Sequence, residues 1–226
     1  MKELTPIKIP LSIKGKTHQA ILYVMPDYFS IGTNEDYLRI PMTPILAQKI
    51  ADHLHFMLPT TKIVDLIYQN APIKLKPSPL AYGPDMVTPQ KFLQHNQIIA
   101  KQLTTLQDNQ RTLISGHKKD IVISNRLYSQ LRQVAIYGWH RKNGRPIQPL
   151  SLVHNNEYAD YSHGLRLISR FILLDGEKIA MEKVLQDPEL APFFSSEGIM
   201  PLTRIPQTTH KNLSSKRTVL PSTKNL

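Results

Sequence analysis

The 226-residue chain contains no cysteine. Disulfides, thiol nucleophiles, iron–sulfur clusters and cysteine-ligated zinc are therefore excluded. Glycine is scarce, at nine residues, and Trp139 is the only tryptophan. No apolar run approaches the roughly 18 residues a membrane-spanning helix requires. The opening MKELTPIKIPLSIKG alternates and carries prolines, unlike the apolar segment of a secretory signal. P-loop, GxGxxG, GxSxG and HExxH signatures are also missing. Acid is absent from Thr203–Leu226, where five cations give the segment +5 of the formal net charge of +11. That segment, rich in Ser, Thr, Pro and Asn, is expected to be a disordered basic tail. It would touch an anionic polymer if it has a role beyond solvation.

What remains is an ordinary globular composition, 41% hydrophobic and 20% charged, expected to fold as one α+β domain over residues 1–202. IKIPLSIKGKTHQAILYV reads as two alternating strands around a Lys14–Gly15–Lys16 turn. MTPILAQKIADHLHF opens a helix with Thr43 as cap and Pro44 in its first turn, and Pro59 closes the segment. Thr60 or Thr61 caps a second helix. Residues 72–88 hold Pro72, Pro77, Pro79 and Pro84, a long extended crossing and a candidate subdomain joint. A third helix is expected from Thr88 to about Gln107. The second half is β-rich, with strands predicted in KDIVIS, QVAIYGW, LSLVH and LRLISRFILL, and a turn at Asp175–Gly176. KIAMEKVLQ follows as a short amphipathic helix. Strands, helices and strands again argue for an antiparallel-rich sheet with two or three flanking helices.

Chemistry concentrates in the β-rich half. His117, His140, His154 and His163 each fall beside the end of a predicted strand, where side chains from distant positions meet. Asp160 stands three residues before His163 and would fix its tautomer, as in acid–base catalysis. The catalytic candidates are therefore His163, Asp160 and His140. Lys118 and Lys119 would hold an anionic group, and Tyr137, Trp139 and Tyr161 would line the site. Tyr137 and Trp139 are two apart and would share one strand face, with His140 on the other. Gly138 and Gly164 would let backbone approach a ligand. The plainer account of DYSHG is a turn whose polar side chains bond to backbone. Zinc is a weaker expectation, with His117, His140, His154 and His163 as ligand candidates, since no short zinc spacing is present.

The blocks YLRIPMTPILAQKIAD, LPTTKIVDLIY, GHKKDIVISNRL, VAIYGWHRKNGRPIQPL and YADYSHGLRLI resemble a family of uncharacterised bacterial proteins, many of them exported. The resemblance spans roughly residues 23–198. It implies bacterial origin and export, hence a periplasmic or extracellular location; the N-terminal pattern by itself leaves two alternatives, a leader removed before Met1 or a protein that stays in the cytoplasm. A cytoplasmic location stays open. It carries no activity. The expected function is a His/Asp-based hydrolase of an amide, ester or glycosidic linkage in an envelope polymer or small-molecule substrate. The alternative is a glycan- or peptide-binding module using Tyr137, Trp139, Tyr158 and Tyr161. Nucleic-acid binding ranks third.

Overall fold

A computed structural model describes residues 3–105 and 112–206 of the chain. The first two strands form the expected hairpin: β1 (Thr5–Ile13) and β2 (Lys16–Val24) pair antiparallel from Thr5↔Val24 to Ile13↔Lys16. Lys14 and Gly15 both take positive φ in the two-residue turn, the backbone twist that such tight hairpins require. Alternation assigns the faces. Ile7, Ile9 and Leu11 of β1 and Ala20, Leu22 and Val24 of β2 are buried, each larger side chain contributing about 1.5–3 kcal/mol by leaving water.

A small hairpin follows, β3 (Ser30–Gly32) with β4 (Tyr37–Arg39). Helix α1 (Pro44–His53) begins at Thr43, whose side chain accepts from Leu46 N, and gives way to β5 (Phe56–Met57). Helix α2 (Thr61–Asn70) begins at Thr60, which accepts from Ile63 N. Each cap satisfies a backbone donor that the first helical turn leaves orphaned. The proline-rich crossing contains β6 (Ile73–Lys74) and a 3-10 turn, Pro84–Val87. Helix α3 covers Pro89–Thr105.

In the second half β7 (Ile114–Ser115) pairs parallel with β6, and β8 (Lys119–Ile121) precedes β9 (Ile136–His140). Strand β10 covers Pro146–Ser151, four residues earlier than LSLVH predicted. It starts straight after the Arg141–Arg145 turn, and its two prolines are tolerated because it lies at a sheet edge. Then come β11 (His163–Gly164), β12 (Ile168–Leu174) and β13 (Glu177–Ala180). The expected helix over KIAMEKVLQ is half strand, β13, and half helix, α4 (Met181–Gln186); α5 is Ala191–Phe194.

The architecture is α+β and mostly antiparallel. One sheet runs β1-β2-β12-β13 with β5 beside β12; the other runs β10-β9-β8-β11. The main core gathers side chains from both, with α1, α2 and α4 packed on it. The predicted tail begins too early. Ile205 is buried and its amide donates to Gln48 Oε1, while Arg204 pairs with Asp52. The chain is thus packed to at least Pro206, and the rest of the expected basic tail lies outside the described residues.

Candidate active site

Helix α2 is amphipathic, and Asp65 is its one acid. Asp65 and Tyr68 are three residues apart and so lie on one face. That face meets the end of β9. Here regular alternation fails, because Gly138 and Trp139 both take left-handed backbone, φ 109° and 56°. The double twist turns His140 to the same side as Tyr137 and sends Trp139 elsewhere. The expected pairing of Tyr137 with Trp139 on one face is therefore corrected.

Asp65 collects both side chains. Tyr137 Oη donates to its carboxylate at 2.9 and 3.1 Å, and His140 Nε2 lies 2.8 Å from Oδ1. A carboxylate accepts, so the imidazole carries its proton on Nε2. Its Nδ1 bonds to no group among the described residues. The Tyr68 ring stacks on His140 at 4.5 Å and 19°, and Tyr68 Oη donates to the Arg141 carbonyl at 2.7 Å. These contacts hold the imidazole in one orientation. Burial and the neighbouring Asp65 carboxylate push the Tyr137 hydroxyl well above its usual range, so it is a donor, not a phenolate. The cluster opens into a depression of about 470 Å³, also lined by Lys74, Lys142 and Asn143. The Asp65 side chain is 37% exposed and that of His140 2%.

Gly138 makes the arrangement possible. A Cβ there would stand 3.3 Å from Val64 Cγ1, 3.4 Å from Asp120 Oδ2 and 3.6 Å from His140 Cε1. Asp120 Oδ2 and His140 Cε1 border that position at ordinary contact distance, so it is the left-handed φ of 109° that calls for glycine here. Burial raises the Asp120 carboxyl to about 6, against the pull of Arg166.

The expected centre at His163 has a different character. His163 is fully buried, and its Nε2 lies 4.0 Å from Asp160 Oδ2, too far for a hydrogen bond. Asp160 instead accepts from Ser162 N at 2.8 Å, Ser162 Oγ at 2.5 Å and Tyr158 Oη at 3.1 Å. That is the turn account of DYSHG. Burial pushes His163 down to about 4 despite the Asp160 charge, so it is neutral near pH 7. Gly164 faces no ligand space: a Cβ there would strike the Tyr28 ring at 2.5 Å.

IYGWH and YADYSHG do meet, but through Trp139 and Tyr161, whose rings lie 6.4 Å apart and close to His95. His140 and His163 are on β9 and β11, with β8 between them, and each has its own partners. Trp139 and Tyr161 are 5% and 2% exposed, so they cannot form the stacking platform of a binding module.

Lys118 is also buried. Its Nζ donates to the Tyr161 carbonyl at 2.7 Å, and burial lowers it to about 7, with Arg39 adding to the effect. Lys119 is half-buried, its Nζ 5.3 Å from the Trp139 ring centre. His117 Nε2 lies 3.0 Å from Asp27, which is also bound by Arg39. Burial works against the Asp27 charge, but Arg39 and then His117 outweigh it and hold the carboxyl well below its usual range. His154 stacks on Tyr158 at 4.0 Å. The four histidines considered for zinc therefore do not gather, and no set of three metal-ligating side chains converges among the described residues.

Sequence reasoning missed Asp65 and Tyr68. A lone acid in an amphipathic helix, three residues before a tyrosine, was the available signal. No protein-family model, no curated protein and no solved structure matches the chain, so what this site does rests on its own geometry.

Proposed function

We propose that the protein is a hydrolase whose site is the Asp65–His140 pair, acting on an amide or ester linkage in cell-envelope material. The observation that carries it is the 2.8 Å Asp65–His140 contact, braced by Tyr137, in a depression open to solvent. With the Nε2 proton committed to Asp65, Nδ1 takes a proton from water as the oxygen adds to the substrate carbonyl. The imidazolium, stabilised by Asp65, returns that proton to the leaving amine or alcohol. Lys74 and Lys142 border the depression and would stabilise the oxyanion. A glycosidic bond suits the site less well: glycoside hydrolysis uses two carboxylates flanking the bond, and Asp65 is the one carboxylate that lines the depression.

The test is turnover of a panel of p-nitrophenyl esters, anilides and purified bacterial envelope polymers. His140→Gln and Asp65→Asn should each lower hydrolysis by about 10²-fold or more, with circular dichroism unchanged. Full activity in His140→Gln would remove the proposal.

A further inference from the structure

A second depression, about 340 Å³, adjoins the first and shares Lys142 with it. Its lining is Lys76, Pro77, Pro79, Arg141, Lys142 and Ile147. We infer that the two depressions together bind a linear polyanion, a chain carrying repeated carboxylate or phosphate groups. This rests on the hydrolase proposal only in calling that chain the substrate.

Three observations support it. Each depression is the size of a small-ligand pocket, and two in contact suit successive units of a chain better than one compact molecule. Next, Lys74, Lys76, Arg141 and Lys142 face them, and none of the four has an ion-pair partner among the described residues. Four cations against Asp65 alone give the groove a positive field that attracts anions.

The third is how the cations come together. Gly116, at φ 95°, has its missing Cβ position 2.5 Å from the Leu75 carbonyl oxygen and 3.3 Å from that of His140. The crossing strand at Leu75–Lys76 and the exit of β9 at His140–Arg141 converge on this one residue. Leu75 N donates to Ser115 O, and Tyr68 Oη fixes the Arg141 carbonyl. The cations thus sit on tied-down backbone, which lowers the cost of ordering them around a ligand.

The experiment is fluorescence anisotropy with two labelled probes, poly-L-glutamate and inorganic polyphosphate, and labelled neutral dextran as control. Wild type, Lys76→Glu/Arg141→Glu and Lys8→Glu/Lys49→Glu are compared in low salt. Both double variants change net charge equally and keep the C-terminal cations. All four positions are exposed, so folding should be unaffected, and a thermal melt confirms it. The expected result is binding of at least one anionic probe, weakened about tenfold or more by the groove pair and less than threefold by the remote pair. The preferred probe names the anionic group. Equal weakening by both pairs, or equal binding of dextran, overturns the inference, as does failure of both anionic probes to bind. Binding and hydrolysis are read separately: anionic-probe binding that depends on the Lys76/Arg141 pair stands even if no substrate in the hydrolase panel is turned over, which separates this inference from the hydrolase proposal.

Discussion

Lys118 gives a prediction with a magnitude. Its ammonium is enclosed, with one hydrogen bond among the described residues, to the Tyr161 carbonyl. Burial and then Arg39 lower it from 10.5 to about 7. Between those values the unfolded chain binds a proton that the folded protein does not, so stability should rise with pH there. One unit is about 1.4 kcal/mol. From pH 7 to 9.5 the wild type should gain roughly 3 kcal/mol relative to Lys118→Met, which has no such proton. Losing the bond to Tyr161 adds an offset that does not change with pH, and tyrosine ionisation is common to both proteins. Urea unfolding at half-unit pH intervals measures the difference. A difference that stays flat across the range would show that the ammonium is solvated and charged throughout, and the buried polar layer would need redrawing.

Other outcomes test the framework around the site. Gly116→Ala should destabilise by about 2–4 kcal/mol, because its Cβ would collide with backbone at 2.5 Å in left-handed geometry, and thermal melting reads this directly. His163→Ala should cost about 2–3 kcal/mol as a cavity in a closed core yet leave hydrolysis within about threefold, which separates a structural from a catalytic histidine. Ending the chain at 202 should lower the melting temperature by several degrees, since Ile205 and the Arg204–Asp52 pair are lost.

Much of the fold was legible because its signals are local. Thr43 with Pro44, Thr60, and Lys14–Gly15 each set a boundary through their own backbone preferences. The four histidines do lie at or near strand ends, as expected. What they touch depends on sheet order, and β8 between β9 and β11 separates His140 from His163. The turn at DYSHG was read for its Asp–His spacing, but Ser162 and Tyr158 take the carboxylate first. The site itself was hidden by two things. Trp139 takes a left-handed conformation that bulky residues seldom adopt, so strand alternation gave the wrong partner for Tyr137. Asp65 is 75 residues from His140, and no spacing rule reaches that far.

The central claim, that Asp65 and His140 act as one unit on the scissile bond, is tested most directly by a double-mutant cycle. The kcat/KM of wild type, Asp65→Asn, His140→Gln and the double variant would be measured on one hydrolysed ester. If Asp65 acts only through the imidazole, the double variant should be no slower than His140→Gln alone, with each single change costing about 10²-fold or more. Losses that multiply, or single variants as active as wild type, would contradict the account.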